Sequence, residues 1–200
     1  MMITYCIGFL LLFSSVCAGQ SNQQPGSKRE INATEENEMN KRSCVHLSKL
    51  GAKERMSLYP FNKAVLIQLV SFDNPDEENI KACLPEVNGK IDYSKLKEIK
   101  ALNQHQIDTL TDILYNYGYE EPFKTDYLTQ CYRPRNAILF LDSSNDVFAY
   151  MELCFECKGT RLSSAKFQAG IFCLQKYDLL ALFFSEVGIS YGIRKEDPIE

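Results

Sequence analysis

Six cysteines spread between residues 44 and 173, behind an uncharged apolar N-terminus, restrict this chain more than any other feature. The sequence holds eight cysteines in 200 residues. Cys6 and Cys17 lie in the N-terminal segment, which leaves Cys44, Cys83, Cys131, Cys154, Cys157 and Cys173. An even number of cysteines in an exported chain favours a disulfide framework, whereas the same residues in a reducing compartment would favour metal or redox chemistry. The N-terminus therefore decides how the cysteines are read.

No charged side chain occurs from Met1 to Gln24, and Ile7 to Phe13 is a continuous apolar block followed by Ser-Ser-Val-Cys-Ala-Gly. Val16 and Ala18 are small residues at the positions a signal peptidase reads. Residues 1–19 therefore read as a signal peptide, cleaved after Ala18 or Gly19. The basic side chain that usually precedes the apolar block is missing. The block is also shorter than the ~20 residues a spanning helix requires. A second reading makes Cys17 a lipidation site, with Val16 in place of the usual Gly, Ala or Ser. The expected location is thus periplasmic or secreted, with a membrane contact only through a lipid on Cys17. Residues 20–43 are polar, carry Pro25 and Gly26, and read as a disordered leader that cannot bury enough surface to offset its ordering entropy. The leader holds Asn32-Ala33-Thr34, a glycosylation sequon relevant only in a eukaryotic secretory path.

Residues 44–200 read as one α+β domain. The hydrophobic fraction of 45% permits a real core, and the net charge of -4 offers no basic field for nucleic acid and no polybasic membrane patch. The β-branched run from Asn62 to Phe72 reads as a buried strand, with a turn over 73–79. Asn103 and Gln106 form a capping box, flanked by Leu102 and Ile107 as a hydrophobic staple. A helix should follow to about Tyr117, with Gly118 as its C-cap. That places His105 on the surface of a first turn. His46, the other histidine, lies beside Cys44, and neither histidine supports a hydrolytic triad. Residues 174–187 carry Tyr177, Leu180, Phe183 and Phe184 at helical spacing and end at Gly188.

Residues 136–157 read as a β-hairpin about Ser144 and Asn145. A two-residue tip there makes Leu141 face Phe148, Leu139 face Tyr150, Ala137 face Glu152 and Arg135 face Cys154. Phe140/Ala149 and Ile138/Met151 fall on the opposite face, which is the expected core. The fold class is then a small antiparallel sheet that includes this hairpin, with helices packed on one face and disulfides as staples.

Chemistry gathers at the end of the hairpin away from its turn. Arg133, Arg135, Glu152, Cys154 and Glu156 should share one face there. Arg133 and Arg135 could grip a small anionic ligand as paired donors, or Glu152 and Glu156 could satisfy them in an exposed ion-pair ladder. The cluster Cys131, Cys154, Cys157 and Cys173 has three readings: structural disulfides, a four-cysteine zinc site, or a redox CxxC. The redox reading suffers because Lys-Gly-Thr-Arg-Leu-Ser-Ser after Cys157 is a poor helix start. On a continuous strand Cys154 and Cys157 point to opposite faces. Cys154 is the preferred disulfide partner of Cys131 because the two share a face, with Cys157 left open because Pro134 disturbs the ladder. Cys44 and Cys83 complete the disulfide candidates.

The stretch Cys131-Tyr-Arg-Pro-Arg-Asn-Ala-Ile-Leu-Phe-Leu-Asp, followed by Tyr150-Met-Glu-Leu-Cys-Phe-Glu-Cys157, resembles a segment of uncharacterised exported bacterial proteins. The resemblance covers about the C-terminal third and ends near Tyr191-Gly192. It implies a bacterial envelope or extracellular setting and no particular activity.

The expected function is a non-enzymatic domain that binds a partner protein or a small anion in the cell envelope or outside the cell, without a cofactor. A thiol-redox or zinc protein built on the cysteine cluster is the first alternative. An enzyme with a converging Arg/Glu site is the second.

Overall fold

The β-branched run at 66–72 and the apolar hairpin at 136–154 supply the middle of a five-stranded antiparallel sheet. The structure is a computed structural model that describes residues 44–74, 83–119 and 131–193. Its strands are β1 (Val45–His46), β2 (Leu66–Phe72), β3 (Glu86–Val87), β4 (Lys90–Ile91), β5 (Leu96–Ala101), β6 (Tyr117–Gly118), β7 (Asn136–Leu141), β8 (Val147–Cys154) and β9 (Gly159–Leu162). Its α-helices are α1 (Ala52–Ser57), α2 (Gln104–Asn116) and α3 (Leu174–Val187). The main sheet has the order β5-β2-β7-β8-β9, while β1 pairs with β6 and β3 with β4 in two small ribbons. The signal segment, the leader and most of the 73–79 turn lie outside the described residues, as does Cys17.

Both faces of the sheet are covered. Every residue of β7 is buried, which in an antiparallel sheet requires a layer on each side. Ile67, Leu69, Ile138, Phe140, Ala149, Met151 and Leu153 face the helices and pack with Leu110, Leu114, Leu180 and Phe184. Phe61 and Phe167 add edge-to-face contacts to Phe140 in this layer. On the other face Val70, Phe72, Ala137, Leu139 and Leu141 form a second, smaller core with Leu84, Ile91 and Leu96. The helices do pack on one face, as expected. The opposite face is closed by residues 83–96 rather than left to water.

The hairpin keeps the expected register over most of its length. Ala137 pairs with Glu152, Ile138 with Met151, Leu139 with Tyr150 and Phe140 with Ala149. Leu141 pairs with Val147 instead of Phe148, because the ladder shifts between Phe140 and Leu141. The cause is the turn. Asp142 accepts from the backbone N–H of Ser144 and of Asp146, and Asn145 stands at φ 64°. This five-residue closure with a left-handed Asn replaces the assumed two-residue tip.

Helix α2 carries its capping box as predicted, with Asn103 Oδ1 accepting from Gln106 N–H at 2.9 Å and the Gln106 side chain accepting from Asn103 N–H at 2.9 Å. His105 lies exposed in the first turn. Gly118 is not its C-cap, since Tyr117 and Gly118 leave the helix in extended form to pair with His46 and Val45. Helix α3 ends as predicted at Gly188, whose φ of 94° is left-handed and whose N–H donates to Phe184 O and Ser185 O.

Candidate functional site

The sheet and helices create two corners with very different chemistry. The first lies where β1, β6 and the segment 168–173 meet. Segment 44–50 is fastened by hydrogen bonds from helix α2. Asn116, at the end of α2, is buried; its Oδ1 accepts from Leu50 N–H, its Nδ2 donates to Leu50 O and Asp112 Oδ1, and its carbonyl accepts from Leu47 N–H. His46 adds a polar strap. Its Nε2 is 2.8 Å from Asp112 Oδ2 and its Nδ1 2.9 Å from Ser48 Oγ. A carboxylate only accepts, so Nε2–H donates to Asp112. Arg55 then locks α1 to α2: it donates to Leu50 O, Thr111 Oγ1 and Asp108, with Asp112 3.3 Å away. The Cys44–Cys173 disulfide ties the segment to the start of α3 across 129 residues.

The opposite wall depends on one glycine. Gly170 stands at φ 70°, and a Cβ there would lie 2.4 Å from Leu114 O. Only glycine lets the chain lie so close to the end of α2. That approach brings Lys176, which is fully buried, within reach of two carbonyls, Leu114 O at 2.7 Å and Ile171 O. Its ammonium also faces the Phe172 ring at 5.1 Å. Burial pushes the amine down from its ordinary value to about 7.

Between these walls lies an open cleft of about 270 Å³, just below the range of drug-sized ligand cavities and so suited to a small ligand. Leu47, Leu50, Tyr115, Tyr117 and Ile171 give it an apolar, aromatic lining, and Lys49 is the one charged lining residue among the described residues. Lys49 is exposed and makes no ion pair among the described residues. Tyr115 is held in place because its hydroxyl donates to Gln168 O at 2.7 Å.

The second corner lies at the β8–β9 turn and is filled rather than open. Glu152 sits on the second-core face and is fully buried. Its carboxylate accepts from Leu84 N–H at 2.6 Å and from Tyr132 Oη–H at 3.0 Å, and stands 3.3 Å from Arg161 Nη1. Arg161 also covers the Tyr132 ring, 4.4 Å from its centre. Burial raises the Glu152 pKa, opposed by the Leu84 N–H, Arg161 and the Tyr132 hydroxyl. Tyr132 is raised too, by burial and by the neighbouring Glu152 charge.

Several expectations for this corner change. Glu152 does not share an exposed ladder with Arg133 and Arg135; its charged partner is Arg161. Arg133 and Glu156 are exposed, whereas Arg135 is half-buried under the C-terminal segment. Gly192 crosses it so closely that a Cβ there would lie 2.5 Å from Arg135 Cβ, and Arg135 lies 6.0 Å from the Tyr191 ring centre. The preferred Cys131–Cys154 bridge is replaced by Cys131–Cys157. The β7–β8 ladder stops at the pair Asn136 and Leu153, and the chain turns over residues 155–158 with Lys158 at φ 51°. The opposite-face rule for a continuous strand therefore no longer holds between Cys154 and Cys157. Cys173 leaves the cluster for Cys44, which dissolves the four-cysteine zinc set. Among the described residues no three His, Cys, Asp or Glu side chains are arranged to hold a metal ion. Cys83 belongs to neither bridge and directly precedes Leu84, the donor to Glu152.

Sequence reasoning misses the cleft and the Arg161–Tyr132 pair. The first has a trace in Gly170, a glycine between apolar residues just before a helix. The second has a trace in Glu152 itself, since a carboxylate within a strand apolar on both sides needs a partner. No protein-family model, curated protein or solved structure matches this chain.

Proposed function

We propose that the protein is an exported binding domain, periplasmic or secreted, and that the cleft between segments 44–50 and 168–173 takes a small, largely apolar anion. The observation that carries this reading is Lys49. It is a cation with no ion pair among the described residues, on the rim of an aromatic and aliphatic hollow, and such a site suits a ligand with one charged end. The two disulfides fit an oxidising compartment. Among the described residues no helix is long and apolar enough to cross a membrane. The Arg133/Arg135 pair expected to hold the anion gives way to Lys49 because Arg135 lies under the C-terminal segment.

The test is a fluorescence titration with anilinonaphthalene sulfonate, an aromatic anion, on the purified protein. Saturable binding is expected, weakened by Lys49→Glu and by Ile171→Asp and unchanged by Arg133→Glu. Binding that ignores both cleft substitutions would refute the assignment. Intact mass reports signal removal, or a lipid on Cys17, in the same sample.

A further inference from the structure

The β8–β9 corner carries a property independent of the cleft. We propose that Cys154 is an internal exchange thiol for the Cys131–Cys157 disulfide, moving the bridge to Cys154–Cys157 and releasing the Cys131 thiol at the surface.

Three observations carry this. Cys154 is in no disulfide and is 1% exposed, so its sulfur is shielded from small reagents. That sulfur is held against Cys157, whose backbone N–H donates to it at 3.3 Å. A second backbone N–H, from Arg133, also donates to it. Burial holds the thiol above its ordinary pKa, with Glu156 adding to this, while the two N–H groups and Arg135 act against it, so the thiolate forms at alkaline pH. Finally, the three cysteines differ in access. Cys157, the shared sulfur, is buried between them, whereas Cys131 is exposed.

The exchange balances internally. The Cys154 thiolate attacks Cys157 Sγ and forms the new S–S bond. The Cys131–Cys157 bond breaks, Cys131 leaves as thiolate, and it takes the proton that Cys154 gave up. No oxidant or reductant is consumed. The product presents a surface thiol to any disulfide or electrophile that arrives, while the buried sulfurs stay bridged. The chain turns over residues 155–158, and that turn sets the Cys157 backbone against Cys154 Sγ.

The test uses the oxidised full-length protein incubated at mildly alkaline pH with excess N-ethylmaleimide. It is then quenched in acid, digested without reductant and mapped by mass spectrometry. The expected result is time-dependent label on Cys131 together with a Cys154–Cys157 linked peptide. Cys154→Ser should abolish Cys131 labelling, and Cys83→Ser should leave it unchanged. The proposal fails if native protein never labels at Cys131, or if Cys154 takes label while the Cys131–Cys157 bridge stays intact. It also fails if Cys83→Ser, rather than Cys154→Ser, removes the label. The wild-type map decides the first two points even if a cysteine variant does not fold.

Discussion

The cleft corner and the β8–β9 corner are built from the same materials, a disulfide, buried charge and a left-handed residue, yet one stays open and the other fills. At the cleft the charged and polar groups serve the walls. Arg55, Asp112, His46 and Asn116 hold segment 44–50 from behind, and Lys176 holds segment 168–173. Among the described residues nothing charged but Lys49 lines the hollow. At the β8–β9 corner the carboxylate of Glu152 points inward and draws Leu84, Tyr132 and Arg161 onto itself, so the space closes. Buried charge directed away from a gap props it open; buried charge directed into it recruits partners until the charge is satisfied.

Four measurements test that contrast. The largest effect should come from removing the long bridge. The double substitution Cys44→Ser/Cys173→Ser should lower stability in urea by about 4 kcal/mol, as expected for a bridge closing so long a loop. It should also abolish probe binding at the cleft while leaving Cys131–Cys157 formed. Intact probe affinity in that variant would show that hydrogen bonds alone hold the wall.

Next is Glu152→Ala, which strands Arg161 and the Leu84 N–H and should cost about 3 kcal/mol, with cleft binding unchanged. Glu152→Gln should cost less and alter the pH profile. The folded pKa of Glu152 is raised above its ordinary 4.5, so in that window the native state binds more protons than the unfolded chain. Wild-type stability therefore falls as pH rises from 4.5, and the Gln variant should lack this slope. Equal slopes in the two proteins would remove Glu152 as the cause.

A smaller effect is expected of Gly170→Ala. The left-handed backbone and the clash with Leu114 O should cost about 2 kcal/mol and weaken probe binding. A variant as stable as wild type would mean the wall does not need that close approach.

The last effect, a pH slope rather than a loss on substitution, belongs to Lys176. Its folded pKa of about 7 lies below the ordinary 10.5, so between these values the unfolded chain binds the extra proton. Stability should rise with pH across this interval and be lost again as pH falls towards 7. Lys176→Met should flatten the rise, measured as the urea midpoint at several pH values. A slope retained in the Met variant would assign the effect to another group.

Much of the frame is legible in the amino-acid order. Asn103 and Gln106 place helix α2, and apolar spacing with Gly188 places α3, because caps and helical periodicity act within a few residues. The pairing of Ala137 to Phe140 with Ala149 to Glu152 is legible because strand alternation propagates along a hairpin. The turn departs from the two-residue tip because Asp142 closes it with its side chain, a choice the pattern of apolar residues does not report.

The site is less legible. Glu152 stands out in the sequence but its partners do not, since a charged residue on one side of a strand looks exposed until something covers that side. Residues 83–96 do so, and they reach the sheet from outside the hairpin. The Cys131 partner differs from the expected one because the strand ends at Cys154, after which face alternation no longer applies. Sequence alone determined helices α2 and α3, the hairpin and the cysteine inventory, because those depend on neighbours along the chain. Tertiary structure decided which cysteines pair, where the buried carboxylate finds its cation and where a cleft opens. Those outcomes depend on segments far apart in the chain, such as 44–50 meeting 116–118 and 168–173, and no local pattern encodes which distant groups will satisfy a buried charge.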